Sequence, residues 1–465
     1  MLHTLPDDTG NGVPRLESVK GLACSKGLLE QLHRLQPLVG VKSLAVAPTH
    51  GPWRVGLLYK GKLTAAMVEQ ARQGRVRSID MRCTTLAPAV AKRVVPELLG
   101  AGCSLLQLSV VDVKLNGTWA SIFGEAAVCS AALRSLRLEG CGLQGPLPEL
   151  RLPALQVLDL FNNQLSGGLE PLRRCTALQA LFLNRNELTG RLGPLRSCTA
   201  LKTLNLCGNQ FMGGLDPLRG CKALQKLDLA CNAFTGGLEP LRGCTALRKL
   251  SMDDNQLTGS LAPLQGCAAL QHLFLANNHH TGSLAPLQDC TALQNIVLDE
   301  NQLTGGLEPL RRCTALEMLS LDGNQLNGGL EPLQGCTALQ VLWLTNNQLT
   351  GGLEPLRGFA ALRECGLAGL GLMNAGLTGG LGPLEGCTAL EELDLGGNHL
   401  TGGLEPLEGC TVLRKLCLNE NHLTVGPEPL QGHTAWEKLC LGNNELPGVS
   451  SISSPCEDAM CYWCR

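Results

Sequence analysis

The residues of this 465-residue chain most suited to metal or redox chemistry are its 23 cysteines. Cys461 and Cys464 form a C-x-x-C pair, with Cys456 and Cys440 upstream. Thiolates in such pairs are common zinc ligands, which makes Cys456, Cys461 and Cys464 candidate metal ligands. Their spacing is not that of a known zinc finger, and a capping or exposed tail explains the residues equally well. We therefore assign no metal site and leave both interpretations open.

Other catalytic signatures are missing from the sequence. The segment from Gly56 to Leu63 comes close to a phosphate-binding loop, but Leu63 stands where such a loop needs serine or threonine to hold magnesium. No G-x-S-x-G, H-E-x-x-H or kinase signature occurs. We therefore expect a protein that is not an enzyme and has no cofactor.

Composition and charge exclude further classes of protein. Lys and Arg total 38 against 40 Asp and Glu, so no overall positive field favours nucleic acid. The opening residues lack the basic and apolar segments of a secretory signal. The uncharged stretch from Cys365 to Leu384 is interrupted by glycine, proline and polar residues, so we expect no membrane span. These observations predict a cytoplasmic protein with reduced thiols.

A period of 23 residues organises most of the chain. Cysteine recurs at the head of consecutive units, and one longer unit of 28 residues begins at Phe359. Fourteen units fill residues 130–446, each with the pattern L-x-x-L-x-L-x-x-N-x-L, which we number as positions 1 to 11. Leu339, Leu342, Leu344, Asn347 and Leu349 illustrate it. Alternating leucines at positions 4 and 6 predict a short strand with one buried face.

This pattern is the signature of a leucine-rich repeat, and the following LTGxL segment resembles the plant-type subclass. The resemblance implies an α/β solenoid, curved and right-handed, with a parallel sheet on its concave face and short helical turns and loops on its convex face. Before residue 130, two longer units resemble ribonuclease-inhibitor-type repeats. We therefore divide the chain into a partly disordered segment (1–62), capping and longer helical repeats (63–129), fourteen repeats (130–446) and a Cys-rich tail (447–465).

Three repeat columns have structural interpretations. The asparagine at position 9 is expected to satisfy backbone groups of the tight turn. The cysteine column places sulfurs roughly 5 Å apart along the stack, and we expect buried, reduced thiols there. His280 stands where neighbouring units have Leu or Phe, which indicates either a local irregularity or a pH-responsive site.

Position 5 lies between the two strand leucines and should project into solvent from the concave face. Residue identity at position 5 varies from unit to unit, whereas the leucine and asparagine positions are nearly constant. The column contains Arg137, Asp159, Phe182, Asn205, Asp228, Ser251, Phe274, Val297, Ser320, Trp343, Gly366, Asp394, Cys417 and Cys440. Exposed aromatic residues suit interface anchors, and nearby acidic residues would complement a basic partner segment. The candidate partner-binding residues are Phe182, Phe274, Val297, Trp343, Asp253, Asp254, Asp299 and Asp322.

The sequence thus predicts a non-catalytic scaffold for protein–protein interaction that binds a protein or peptide on its concave face. An alternative is a sensor or regulatory subunit of a receptor or phosphatase signalling assembly, with catalysis in another chain. A third interpretation, from uses of plant-type repeats, is ice or surface binding through columns such as Thr235, Thr258, Thr281 and Thr304. We predict no nucleic-acid partner and leave the oligomeric state open.

Overall fold

The protein is described by a computed structural model. It covers residues 73, 77–82, 95, 97–99, 104–123, 128–359, 362, 370–433 and 436–446, together with the backbone of strands 43–47 and 54–58. The chain forms two compact units, Met1–Leu224 and Gln225–Arg465. The predicted tail 447–465, with Cys456, Cys461 and Cys464, lies outside the described residues.

Unit 1, residues 1–224, contains a first sheet that begins with an antiparallel hairpin and continues with parallel strands. Its strands are β1 Ser43–Ala47, β2 Arg54–Leu58, β3 Ser78–Arg82, β4 Gln107–Val111, β7 Ser135–Glu139, β10 Val157–Asp159, β12 Ala180–Phe182 and β14 Thr203–Asn205. A second parallel sheet contains β5 Gly117–Thr118, β8 Leu143–Pro146, β11 Gln164–Gly167, β13 Glu187–Gly190 and β15 Gln210–Gly213. The pair β6 Val128–Cys129 and β9 Leu150–Arg151 is separate.

Unit 2, residues 225–465, repeats this arrangement. Its first sheet contains β16 Lys226–Asp228, β18 Lys249–Ser251, β20 His272–Phe274, β22 Asn295–Val297, β24 Met318–Ser320, β26 Val341–Trp343, β28 Leu370–Gly371, β30 Glu392–Asp394, β32 Lys415–Cys417 and β34 Lys438–Cys440. Its outer strands are β17 Ala233–Gly236, β19 Gln256–Ser260, β21 His279–Gly282, β23 Gln302–Gly305, β25 Gln325–Gly328, β27 Gln348–Leu349, β29 Thr378–Gly379, β31 His399–Gly402 and β33 His422–Leu423. All described pairings within this unit are parallel, so the predicted α/β repeat architecture is confirmed.

The helical turns of the repeats are 3₁₀-helices. In unit 1 they span Glu170–Leu172, Gly193–Ser197 and Asp216–Gly220. In unit 2 they span Glu239–Leu241, Ala262–Leu264, Ala285–Leu287, Glu308–Leu310, Glu331–Leu333, Glu354–Leu356, Gly382–Leu384, Glu405–Leu407 and Glu428–Leu430. Each has proline in its first turn, where the fixed φ and missing N–H suit a helix start. A short α-helix, α1, spans Trp119–Phe123. None of the helices described is long and apolar enough to cross a bilayer.

The leucine columns form the core of each unit. Leu339, Leu342 and Leu344 are fully buried, and equivalent leucines of the other coils are buried in the same way. Each buried leucine contributes about 2 kcal/mol relative to an exposed one. Leucine fills most of these positions, with Phe211 and Phe234 in the column of position 11, so the core needs few of the 3% aromatic residues in the sequence.

The position 9 asparagines connect each coil to the one before it. In Asn324 the side-chain Oδ1 accepts the Leu303 N–H at 3.0 Å, while Nδ2 lies 3.0 Å from the Leu298 and Leu321 carbonyls. Nδ2 also lies 3.1 Å from the Asp322 carbonyl. One buried amide therefore satisfies backbone groups of two coils where the strands have ended. This geometry confirms the structural interpretation of the column.

The cysteine column is buried, and its sulfurs contact main-chain oxygens of the preceding coil. Cys198 Sγ lies 3.6 Å from the Cys175 oxygen, and Cys313 Sγ lies 3.6 Å from the Cys290 oxygen. Burial raises the pKa of Cys290 to about 12, so its thiol stays protonated at neutral pH. The thiols act here as small apolar side chains that also provide a weak donor.

Strand register corrects one sequence interpretation and agrees with another, the rejection of a phosphate-binding loop. Gly371, not Gly366, occupies position 5 of the longer unit, because it pairs with Trp343 and Asp394. The extra residues of that unit therefore precede its strand. In the segment that resembles a phosphate-binding loop, Gly56 lies inside β2 and pairs with Ala45 and Ser78. It is part of an extended strand, not a loop around a phosphate.

Replacing Asn324 by aspartate is expected to lower the free energy of unfolding by about 3 kcal/mol, because a carboxylate would face the carbonyls that the amide now donates to. The matched control is Gln325→Glu, the same amide-to-carboxylate change on the exposed neighbouring residue. We expect that control to stay within about 0.5 kcal/mol of the wild type. Chemical denaturation followed by circular dichroism measures both; equal effects of the two substitutions would contradict the role of the amide.

Candidate functional site

Strand register brings three of the predicted anchors together in unit 2. Phe274 pairs with Val297, Val297 with Ser320, and Ser320 with Trp343. Because neighbouring strands lie about 4.8 Å apart, these side chains form one row across four coils. We call the side of the first sheet that carries positions 3, 5 and 7 the open face. Phe182 belongs to unit 1, where it pairs with Asp159 and Asn205.

The predicted anchors are half-buried and not fully exposed. Phe182, Phe274, Val297 and Trp343 all have intermediate exposure. Ser320, which the position 5 column placed in solvent, is 1% exposed because its hydroxyl donates to Asp299 Oδ1 at 2.6 Å. Position 5 therefore faces the open side but is partly covered by its neighbours.

Two apolar residues at position 3 extend the row and were missed by sequence reasoning. Met318 is half-buried and pairs with Val341, which is 6% exposed. The sequence could have predicted both residues, because side chains at position 3 point to the same side of the strand as those at position 5. Phe274, Val297, Met318, Val341 and Trp343 together form what we call the apolar patch.

The edge of the apolar patch at Phe274 is polar and cationic. The His272 ring stacks on Phe274 with 6.2 Å between centroids and 7° between planes. Lys249 Nζ lies 5.5 Å from the centroid of the same ring. His272 Nδ1 lies 2.9 Å from Asn295 Oδ1, which fixes the imidazole plane. Phe274 is therefore held in one orientation by its neighbours before any partner arrives.

Three of the predicted acidic residues cap main-chain N–H groups of the next coil. Asp253 Oδ1 accepts from the Ala276 N–H at 2.9 Å, and Asp299 Oδ1 accepts from the Asp322 N–H at 2.8 Å. Asp322 Oδ1 accepts from the Thr345 N–H at 2.6 Å. In other coils, a side chain of the same coil accepts the position 7 N–H. Asp159 Oδ1, for example, accepts from the Phe161 N–H at 3.2 Å. These carboxylates thus have a structural task in addition to their charge.

The fourth acidic residue, Asp254, has a different environment. It is exposed and adopts φ +53°, in the left-handed region of the tight turn at position 8. Its Oδ1 accepts from Asn277 Nδ2 at 2.9 Å. Asp254 therefore presents its charge at the rim of the open face, whereas the three capping carboxylates are partly covered.

Burial and mutual repulsion raise the pKa of the capping carboxyls. Desolvation is the main cause for Asp253 and Asp299. For Asp322, desolvation and then the charge of Asp299 raise the pKa to about 7. Nearby Glu300 acts in the same direction. The ionised forms of these carboxyls are therefore disfavoured by burial and mutual repulsion, and a nearby cation would stabilise them.

The histidines do not form a metal site in the part of the chain that is described. His399 and His422 stack with centroids 6.0 Å apart, and His422 Nδ1 lies 3.8 Å from Glu445 Oε1. No group of three or more His, Cys, Asp or Glu in the described ranges is placed to hold a metal ion. His280 is instead a core residue, 1% exposed, with Nδ1 3.2 Å from the Gly259 oxygen.

Family models of leucine-rich repeats match parts of the chain. A single-repeat model matches residues 154–175 and 389–410, and a two-copy model matches residues 314–358. No curated protein matches the sequence.

Solved structures show the same fold. The Arabidopsis receptor kinase HAESA, in complex with the peptide hormone IDA and the co-receptor SERK1, aligns with a TM-score of 0.70 and 25% identity over 83% of this chain and 64% of that one. A TDR receptor aligns at 0.68 and 23% identity, over 84% and 68%. A PEPR1–AtPEP1 complex aligns at 0.65 and 24% identity, over 89% and 54%. The chain therefore spans about half to two thirds of the length of these structures.

Replacing Asp322 by asparagine is expected to stabilise the protein at pH 8 by about 1–3 kcal/mol. The pKa of Asp322 is raised from 3.8 to about 7, so the folded state holds this proton more tightly than the unfolded state does. Its contribution to stability is complete below about pH 4 and is lost as the pH rises through 7. Denaturation midpoints measured from pH 4 to 8 should diverge between wild type and variant. Asp289→Asn, an exposed control, should run parallel to the wild type.

Replacing His280 by leucine should produce the opposite pH trend. Burial lowers the pKa of this imidazole below 6.5, so its neutral form is favoured in the folded state. The associated stability is present above the unfolded pKa and is lost as the pH falls. The gain from His280→Leu should be larger at pH 5 than at pH 8. His279→Leu changes an exposed neighbour; a comparable gain in that control would contradict the assignment.

Proposed function

Because the chain is a leucine-rich repeat protein, we propose that it is a non-catalytic binding scaffold and that the open face of unit 2 binds an extended protein or peptide segment. The observation that carries this proposal is the apolar patch. Five apolar side chains of adjacent strands meet on the solvent side of a sheet, in a chain with 7 Phe, 5 Trp and 2 Tyr among 465 residues. An apolar cluster rimmed by polar groups is typical of a protein contact site.

The solved relatives support this mode of use. HAESA is described in complex with a peptide hormone, and PEPR1 in complex with AtPEP1. Their likeness to this chain supports the fold, and the residues of the open face must supply any specificity. For this chain we propose the same general mode, in which side chains of the first sheet contact a ligand.

The charges beside the patch favour a partner with a basic residue next to a hydrophobic anchor. Burial and the neighbouring charge of Glu300 raise the pKa of Asp299 and of Asp322, and Asp254 adds an exposed charge. A lysine or arginine placed over this row would favour the ionised carboxylates and release the proton of Asp322 near neutral pH. Lys249 at the other edge of the patch would disfavour a second cation there, which gives the ligand a direction.

Selection from a displayed peptide library against the full chain tests the proposal. We expect enriched peptides to pair an aromatic or large aliphatic residue with lysine or arginine. Their affinity should fall at least about tenfold in Phe274→Ala and in Trp343→Ala, the range of interface anchors. Met318→Ala should weaken binding less, and Val412→Ala, an exposed apolar residue elsewhere, should change nothing.

The Phe182→Ala variant is measured separately, because it tests whether unit 1 contributes to binding of the same peptides. Circular dichroism must show that each variant keeps its unfolding midpoint within the range expected for a surface change. If folded Phe274→Ala and Trp343→Ala variants bind selected peptides as the wild type does, the open face of unit 2 is not the binding surface.

A further inference from the structure

A groove of about 390 Å³ lies on the open face of unit 1. It crosses β3, β4, β7 and β10, so four consecutive strands contribute to it. Ile79 and Leu108, whose side chains are buried in the core, line its floor, and its walls are polar. This volume falls in the range of small-molecule and side-chain pockets.

The polar lining of the groove is rich in hydrogen-bond donors. Its lining includes two guanidinium groups, Arg134 and Arg137, and no carboxylate among the described residues. Ser109 pairs with Arg137 on the adjacent strand, and Gln107 pairs with Ser135. The order of the strands therefore places hydroxyl, amide and guanidinium groups within one or two strand spacings of each other.

These donors are not consumed by the protein. Arg134 is exposed and has no ion-pair partner among the described residues. Arg137 has a single acidic neighbour there, with its Nε 3.8 Å from Asp159 Oδ2, which is beyond hydrogen-bond distance. Asp159 Oδ1 itself accepts from the Phe161 N–H. Among the described residues, one guanidinium charge therefore remains uncompensated, and the terminal nitrogens of Arg137 make no hydrogen bond.

Ser109 provides an independent observation. Its hydroxyl oxygen is buried and has no hydrogen-bond partner within the described structure, although it lines the groove. A buried hydroxyl without an acceptor is destabilising, because no hydrogen bond offsets its desolvation. Ser78, by contrast, already donates to Gln107 Oε1 at 3.3 Å. Ser109 is therefore the donor that an occupant of the groove would satisfy once rotation about χ1 turns its oxygen toward the groove.

We propose that this groove is a binding site for a phosphate monoester, held by Arg134, Arg137 and the Ser109 hydroxyl. A guanidinium fork matches two phosphate oxygens, and a tetrahedral group has further oxygens for the hydroxyl donors beside it. A planar carboxylate would engage one guanidinium and leave Ser109 unpaired. The phosphate belongs either to a small free molecule or to a phosphorylated side chain of a protein. The site lies in unit 1 and does not use the apolar patch, so it stands independently of the proposed function.

Calorimetric titration of the full chain tests this proposal with four probes: inorganic phosphate, O-phosphoserine, a phosphoserine peptide, and the same peptide with glutamate in place of phosphoserine. We expect the phosphate probes to bind and the glutamate peptide to bind at least about tenfold more weakly. Tighter binding of the phosphopeptide than of O-phosphoserine assigns the phosphate to a protein partner. The reverse order assigns it to a small molecule.

Substitutions inside and outside the groove distinguish a specific phosphate site from general attraction of phosphate to positive charge. Arg134→Gln combined with Arg137→Gln should weaken phosphate binding by about tenfold or more. Arg196→Gln, at an exposed arginine of the 3₁₀-helix Gly193–Ser197, should leave it unchanged. Ser109→Ala keeps all charges and removes the unpartnered hydroxyl, and we expect about threefold weaker binding from it.

Three results would overturn the proposal. The first is no heat of binding from any phosphate probe up to about 10 mM, which corresponds to an affinity too weak for a specific site. The second is equal affinity for the phosphoserine and glutamate peptides. The third is unchanged phosphate affinity in a folded variant: in Ser109→Ala it would mean that charge alone attracts the ion, and in the double arginine variant it would mean that the ion binds elsewhere.

Discussion

The structure depends on one recurring side-chain amide. Where each short strand ends, main-chain groups lose their sheet partners inside the protein, and an unpaired buried group costs as much as a lost hydrogen bond. The position 9 asparagine meets this need by bonding to carbonyls of its own coil and of the preceding coil, as Asn301 does with Leu298 and Leu275. Leucine burial supplies most of the favourable free energy, but these amides determine how one coil follows the next. The thiol column adds a weaker link of the same kind on the other side of the core.

The need to pair main-chain hydrogen-bonding groups also explains the acidic residues of the open face. The N–H at position 7 is left over by the strand pairing, and a carboxylate accepts it, either from position 5 of the same coil or from position 7 of the coil before. Coils that use the second arrangement bury these carboxyls, which raises the pKa of Asp299 and of Asp322, and the charge of Asp299 raises that of Asp322 further. The negative charge of the open face is thus produced by a requirement of the backbone.

Much of this architecture is readable from the sequence because each coil contacts mainly its neighbours. The leucine positions, the role of asparagine and the buried thiols follow from periodicity alone. The register of the longer unit was misassigned, although Leu370, Leu372 and Leu377 fit positions 4, 6 and 11 and place Gly371 at position 5. The sequence prediction considered only position 5 and so omitted Met318 and Val341, although position 3 lies on the same face of the sheet as position 5. The capping role of Asp253 depends on Ala276 in another coil, and the pattern within one repeat cannot reveal it. The groove in unit 1 needs four strands from repeats of different length, so no single repeat contains it.

The amide links also bear on how a chain of this kind changes length. In the regular part of unit 2, each asparagine bonds only to its own coil and to the adjacent ones, and successive coils offer the same carbonyls at the same places. Gain or loss of one complete 23-residue unit leaves every remaining junction chemically equivalent. Gain or loss of a fraction of a unit within the segment from position 1 to position 11 would instead shift the asparagine away from the carbonyls it binds. The scaffold therefore tolerates recombination in whole repeats, and the open face lengthens or shortens one row at a time, so that new combinations of surface residues arise without a new fold.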